Sequence, residues 1–106
     1  MKNILLTGAD GFLGRQFLWH IKDSKEYFVY AVTSNTKKLN EIITAPNVQV
    51  VEKGAEINWS NIDIVLHSAF SRAGETSGYI TSLEYAKEIF YDAISNDVPA
   101  IINISS

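Results

Sequence analysis

Three glycines, Gly8, Gly11 and Gly14, recur at every third position within LLTGADGFLGRQF. They follow a short apolar run, Asn3 to Leu6, and precede a segment whose apolar members Leu13, Phe17, Leu18 and Ile21 fall at helical spacing. A strand that ends at Thr7, turns on glycine and enters a helix near Phe12 leaves backbone N–H groups open, because the first turn of a helix holds no internal acceptors for them. Each glycine then has a task. Gly8 permits the sharp exit from the strand, Gly11 leaves room where a Cβ would meet a ligand, and Gly14 lets the helix pack closely on the sheet. The open N–H groups, those of Phe12 and Leu13 in particular, join the positive end of the helix dipole in favouring a diphosphate. No Gly-Lys-Ser/Thr follows, which argues against a P-loop. A plain tight turn would use the same small residues. The strand before, the helix after and a further strand at Tyr27 favour the phosphate-binding reading.

The elements that must hold this turn in place follow from the same patterning. YFVYAVT (Tyr27 to Thr33) is aromatic and β-branched and predicts a strand. The first helix is predicted from Phe12 to about Asp23. Asn35 to Ile43 predicts a short helix capped by Asn35 or Thr36, and Pro46-Asn47 breaks it. Val48 to Glu52 and Ile62 to Phe70 predict two more strands, with only a turn or a single helical turn between them. Ser71 to Gly78 reads as a loop, Ser82 to Ser95 as a helix, and Ala100 to the final serines as a fifth strand. Strands alternating with helices imply an α/β fold, a doubly wound parallel sheet of about five strands with helices on both faces. The 106 residues show no repeat or linker and predict one domain.

Composition narrows the function. The chain is 46% hydrophobic and 20% charged, as in an ordinary globular protein. Its net charge is −3, with no basic cluster beyond Lys37-Lys38, which argues against nucleic acid or an anionic membrane as partner. No apolar run approaches the roughly 18–20 residues of a membrane span. There is no cysteine, and His20 and His67 lack metal-ligand spacing, so neither thiolate chemistry nor a metal site is expected. The expected compartment is the cytoplasm.

TGADGFLG resembles the TGxxGxxG motif of the extended short-chain dehydrogenase/reductase superfamily, the NAD-dependent epimerase/dehydratase group. DIVLHSAF is similar to that family's D-V-V-I-H-x-A-A strand, and VPAIINISS resembles its fifth strand, which ends in Ser-Ser or Ser-Thr. The three landmarks occur in the family's order and cover nearly the whole chain. The resemblance implies a Rossmann sheet with NAD or NADP at its switch point and substrates such as nucleotide sugars. It assigns Gly8, Asp10, Gly11, Phe12, Leu13 and Gly14 to the cofactor, and His67, Ser68, Ala69 and Phe70 to its middle. His67, at the end of an apolar strand, reads as a structural histidine.

In dinucleotide folds the residue about 20 positions past the glycines discriminates the cofactors. Here that region is TSNTKK, with no carboxylate for the ribose hydroxyls of NAD. Thr33, Ser34 and Asn35 can donate to a phosphate and Lys37 or Lys38 can add charge, so NADP is the expected cofactor over NAD. The family's adenine-contacting Asp has no match in EKGAEI, where Gly54 or Ala55 stands near that position and Glu56 close by.

The resemblance places the family's catalytic Ser/Thr at Ser106. Its Tyr-x-x-x-Lys base pair is absent: four residues beyond Tyr27, Tyr30, Tyr79, Tyr85 and Tyr91 stand Ala31, Ser34, Leu83, Ile89 and Ser95. The expectation is the N-terminal, cofactor-binding portion of a longer reductase, epimerase or dehydratase, truncated after the fifth strand and inactive alone. The alternative is a non-catalytic dinucleotide-binding module or sensor. A fifth strand left at the edge would expose backbone donors and acceptors, so self-association is expected there.

Overall fold

The computed structural model describes residues 1–68 and 76–103, with the backbone alone for 76–83. Five strands, β1 (Lys2–Thr7), β2 (Tyr27–Thr33), β3 (Val48–Glu52), β4 (Ile64–His67) and β5 (Ala100–Asn103), alternate with the helices α1 (Phe12–Ile21), α2 (Thr36–Ile42) and α3 (Thr76–Ser95). Every strand pair is parallel and the order is β3-β2-β1-β4-β5, a Rossmann-like sheet. The chain walks outward from β1 to β3 and then crosses back to the far side of β1. The direction of winding therefore reverses between β1 and β4, and a crevice opens beyond the carboxyl ends of those two strands.

The middle of β1, Ile4 to Leu6, is apolar because it is covered on both faces. Ile4 and Leu6 join Leu18 of α1, Leu39 of α2, Ala31 and Leu66 in one core layer. Leu5 joins Val32, Val65 and the α3 residues Ile89 and Ala93 in the other. Alternate residues of one strand thus anchor opposite layers, as the two-residue period requires. Among the described residues β5 is an outer strand and its Ile102 is half-exposed.

β2 and β3 keep their expected limits. α1 ends at Ile21, two residues before the expected Asp23. Asp23 adopts a left-handed φ of 65°, and the Lys22 N–H closes the last turn on Leu18 O at 2.9 Å. β4 is shorter than Ile62–Phe70. The Ile62 N–H is held by Trp59 O (3.1 Å), closing the 3-10 turn Trp59–Asn61, and the Ser68 N–H goes to a side chain; Ala69 and Phe70 lie outside the described residues. α3 begins at Thr76, so Thr76–Gly78, expected in a loop, are helical. The weak helix propensity of this Thr-Ser-Gly segment is offset by adding turns to a helix already nucleated.

The β3-to-β4 crossover carries only that 3-10 turn. Among the described residues, the α3-side face of the sheet consequently lacks a covering helix over β3 and beside Tyr30 of β2. A cavity of ≈ 340 Å³ lined by Leu5, Tyr30, Val51, Ile57 and Ile62, among others, remains there.

Candidate functional site

The turn after β1 is built from backbone. Gly8 has φ 63°, a conformation that side chains disfavour, and its carbonyl accepts the Gly11 N–H at 3.0 Å. The Ala9 N–H donates to Val32 O (3.1 Å), which ties the turn to the end of β2. Gly11 caps α1 without any side-chain hydrogen bond, and the first helical bond is that of Arg15 N–H to Gly11 O (2.9 Å). Among the described residues the N–H groups of Phe12, Leu13 and Gly14 meet no acceptor. They lie at the crevice end of the helix, and among the described residues nothing but Gly8 O stands within 4 Å of where a Gly11 Cβ would be.

Gly14 is the point of closest approach. A Cβ there would lie 2.4 Å from Gly8 O and 2.8 Å from Ala9 Cα. A Cβ at Gly11 would meet only Gly8 O, at 3.2 Å. Gly14 therefore seats the helix on the turn, while Gly11 keeps the open side clear. Phe12 is largely exposed beside the turn, and Asp10 and Leu13 are partly buried.

The floor of the crevice is a buried polar seam between β1 and β4. Thr7 Oγ1 lies 2.6 Å from His67 Nδ1, with the proton supplied by either atom according to the tautomer. The Ser68 N–H donates to Thr7 Oγ1 (3.2 Å) and the Ser68 hydroxyl to Thr7 O (2.6 Å). Tyr85 and Phe90 of α3 lie against the His67 ring, with centroids 5.7 and 5.4 Å away. Burial among these partners fits the structural role read for His67. Ser68, expected beside the cofactor, is itself committed to the seam. Ala69, Phe70 and Ser106 lie outside the described residues.

At the end of β2, Thr33 is only 2% exposed and its Oγ1 accepts the Asn35 N–H at 3.0 Å. Asn35 Oδ1 accepts the Lys38 N–H at 3.1 Å and caps α2. Of the polar groups expected to meet a phosphate, Ser34, Lys37 and Lys38 are the exposed ones with no such duty. Beyond the ends of β2 and β3 lies a second cavity of ≈ 430 Å³, walled by Val32, Gly54, Ala55, Trp59 and Tyr85 and rimmed by carboxylates including Glu56 and Glu88. Lys53 Nζ stands 4.2 Å above the Tyr85 ring. Burial, and secondly the Glu88 carboxylate, push the Tyr85 phenol up to about 12. It stays protonated in the neutral range and is no base there.

Sequence reasoning missed Arg15. This side chain is partly buried on the second turn of α1, and its Nε is shielded from solvent without an acceptor among the described residues. Its position one residue past Gly14 was the available signal. The described residues contain no cluster of three or more metal-ligating side chains. They also contain no helix long and apolar enough to cross a membrane.

No protein-family model matches the chain, and no curated protein does. Solved structures match its fold. A thiolation-reductase di-domain from an archaeal non-ribosomal peptide synthetase superposes with a TM-score of 0.77 at 22% identity, covering 99% of this chain and 35% of that one. UDP-N-acetylglucosamine 4-epimerase from Bacillus cereus gives 0.65 at 20% identity, covering 100% and 36%. A wide-type short-chain dehydrogenase/reductase from Veillonella parvula, solved in complex with NADP, gives 0.57 at 18% identity, covering 98% and 47%. The chain thus spans about a third to a half of the length of these proteins, and what it shares with them is the Rossmann-like fold.

Proposed function

We propose that this chain is the dinucleotide-binding portion of a reductase or epimerase of the extended short-chain dehydrogenase/reductase type, with NADP favoured over NAD. The observation that carries the reading is the set of three acceptor-less N–H groups at the start of α1, standing behind the Gly8–Gly14 turn at the β1/β4 crevice. Diphosphate oxygens fit such donors. The cavity beside Gly54, Ala55 and Glu56 lies where the adenine end of the same ligand would reach, and the exposed Ser34, Lys37 and Lys38 favour a 2′-phosphate. The bound dinucleotide would supply the hydride donor or acceptor. The chain's own residues bind the diphosphate, fix the crevice through the Thr7–His67–Ser68 seam and orient the ligand across the sheet. No Tyr-x-x-x-Lys occurs in this sequence, and the role proposed for its residues is cofactor binding. Among the described residues β5 pairs with β4 alone, and its other edge would serve self-association.

Titration with NADPH and NADH at equal ionic strength, followed by calorimetry, tests the reading. Both should bind, NADPH roughly tenfold tighter, the difference made by about one charge-assisted contact. A folded chain that binds neither would overturn the proposal, and equal affinities would remove the preference for NADP.

A further inference from the structure

The charge on α1 is placed at the unfavourable end. Arg15 is the only charged residue from Phe12 to Trp19, and no acidic residue stands in the first turn to balance it. A cation near a helix N-terminus opposes the helix dipole, and anions are what that end prefers. None of the described residues forms a hydrogen bond or ion pair with the Arg15 side chain, although its Nε is cut off from solvent. A buried guanidinium N–H without an acceptor is costly, and in a folded protein such a group calls for a partner. Helical side chains lean toward the N-terminus of their helix, so the one at position 15 covers the turn at Gly11 and Phe12. That is the turn at which the N–H groups of Phe12, Leu13 and Gly14 also lack acceptors.

From these features we infer that Arg15 is a charge partner for the diphosphate of the bound dinucleotide, placed beside the backbone donors of the glycine turn. This rests on the dinucleotide-binding reading. A guanidinium suits the role because its fixed fork of donors matches phosphate oxygens two at a time. The anion would accept from the guanidinium and from the helix start together.

The test uses three ligands, NADPH, NADH and ADP-ribose, the last carrying the diphosphate without nicotinamide or 2′-phosphate. Each is titrated calorimetrically into the unaltered chain, Arg15→Gln and Arg15→Lys, with thermal unfolding of each chain recorded without ligand. Arg15→Gln should weaken all three ligands by a similar factor, about 10- to 30-fold, and lower the salt dependence of binding. Arg15→Lys should recover part of the loss, and neither variant should unfold earlier than the unaltered chain. Unchanged binding in a folded Arg15→Gln chain would overturn the inference. A loss confined to NADPH would overturn it too, by moving the guanidinium to the 2′-phosphate. An unaltered chain that binds none of the three would instead overturn the dinucleotide-binding reading and, with it, this assignment.

Discussion

Gly14→Ala should destabilise the fold by about 3 kcal/mol or more and abolish dinucleotide binding. The added methyl group would stand 2.4 Å from Gly8 O, 2.8 Å from Ala9 Cα and 3.0 Å from Ala9 C. All three obstructing atoms belong to the backbone, so no rotamer change relieves the clash. Either the Gly8–Ala9 turn shifts, breaking the Ala9-to-Val32 hydrogen bond, or α1 lifts from the sheet and takes the buried Leu18 with it. Both movements displace the donors of Phe12 and Leu13. Gly11→Ala is the informative companion, because its methyl group meets one atom, at 3.2 Å. That variant should stay folded within about 1 kcal/mol of the unaltered chain while losing ligand affinity through its exposed side. Denaturant unfolding of the two variants measures the contrast. A Gly14→Ala chain as stable as the original would show that α1 is not seated on the turn.

Asn47→Ala should cost about 2–4 kcal/mol, equivalent to a fall in melting temperature of roughly 10–25 °C for a chain of this size. Asn47 is 4% exposed and uses its whole amide. Its Nδ2 donates to Ile21 O at 3.0 Å and to Tyr27 O at 2.9 Å, while its Oδ1 accepts the Asp23 N–H at 2.8 Å. One side chain therefore fastens the end of α1, the start of β2 and the entry to β3. Removing it leaves Tyr27 O and the Asp23 N–H without this partner, while Ile21 O keeps the Ser24 N–H at 3.1 Å. Asn40→Ala, on the exposed face of α2, serves as the control and should change stability by less than about 0.5 kcal/mol. Equal melting temperatures for the two variants would contradict the role given to Asn47.

What could be read in the sequence was local. The limits of β2 and β3 followed from β-branched and aromatic runs bounded by turn residues, and the roles of Gly8 and Gly14 as turn and contact point followed from their spacing. What could not be read depends on partners distant in sequence. The hydrogen bond between Thr7 and His67 joins residues 60 apart, and nothing in either neighbourhood announces the other. Asn47 looked like a helix breaker beside Pro46, since its amide bonds reach residues 20 to 26 positions earlier. The start of α3 was missed because Thr-Ser-Gly carries weak helix propensity, which tertiary context readily overrides. Arg15 shows its meaning only when burial of its Nε is known alongside the lack of an acceptor.

The bare β3-to-β4 crossover leaves β3 as a thinly supported wing of the sheet. Among the described residues it pairs with β2 alone, and no helix backs it on the α3 side. Local breathing should therefore begin there, with β3 amides exchanging with solvent ahead of those of β1, which is bonded on both sides. Since the Lys53 N–H is bonded to Thr33 O beside the cavity at Gly54 and Ala55, such loosening would widen that cavity without disturbing the glycine turn. On the proposed dinucleotide reading, entry of a long ligand and rigidity of its diphosphate cradle would be entrusted to different parts of one small sheet.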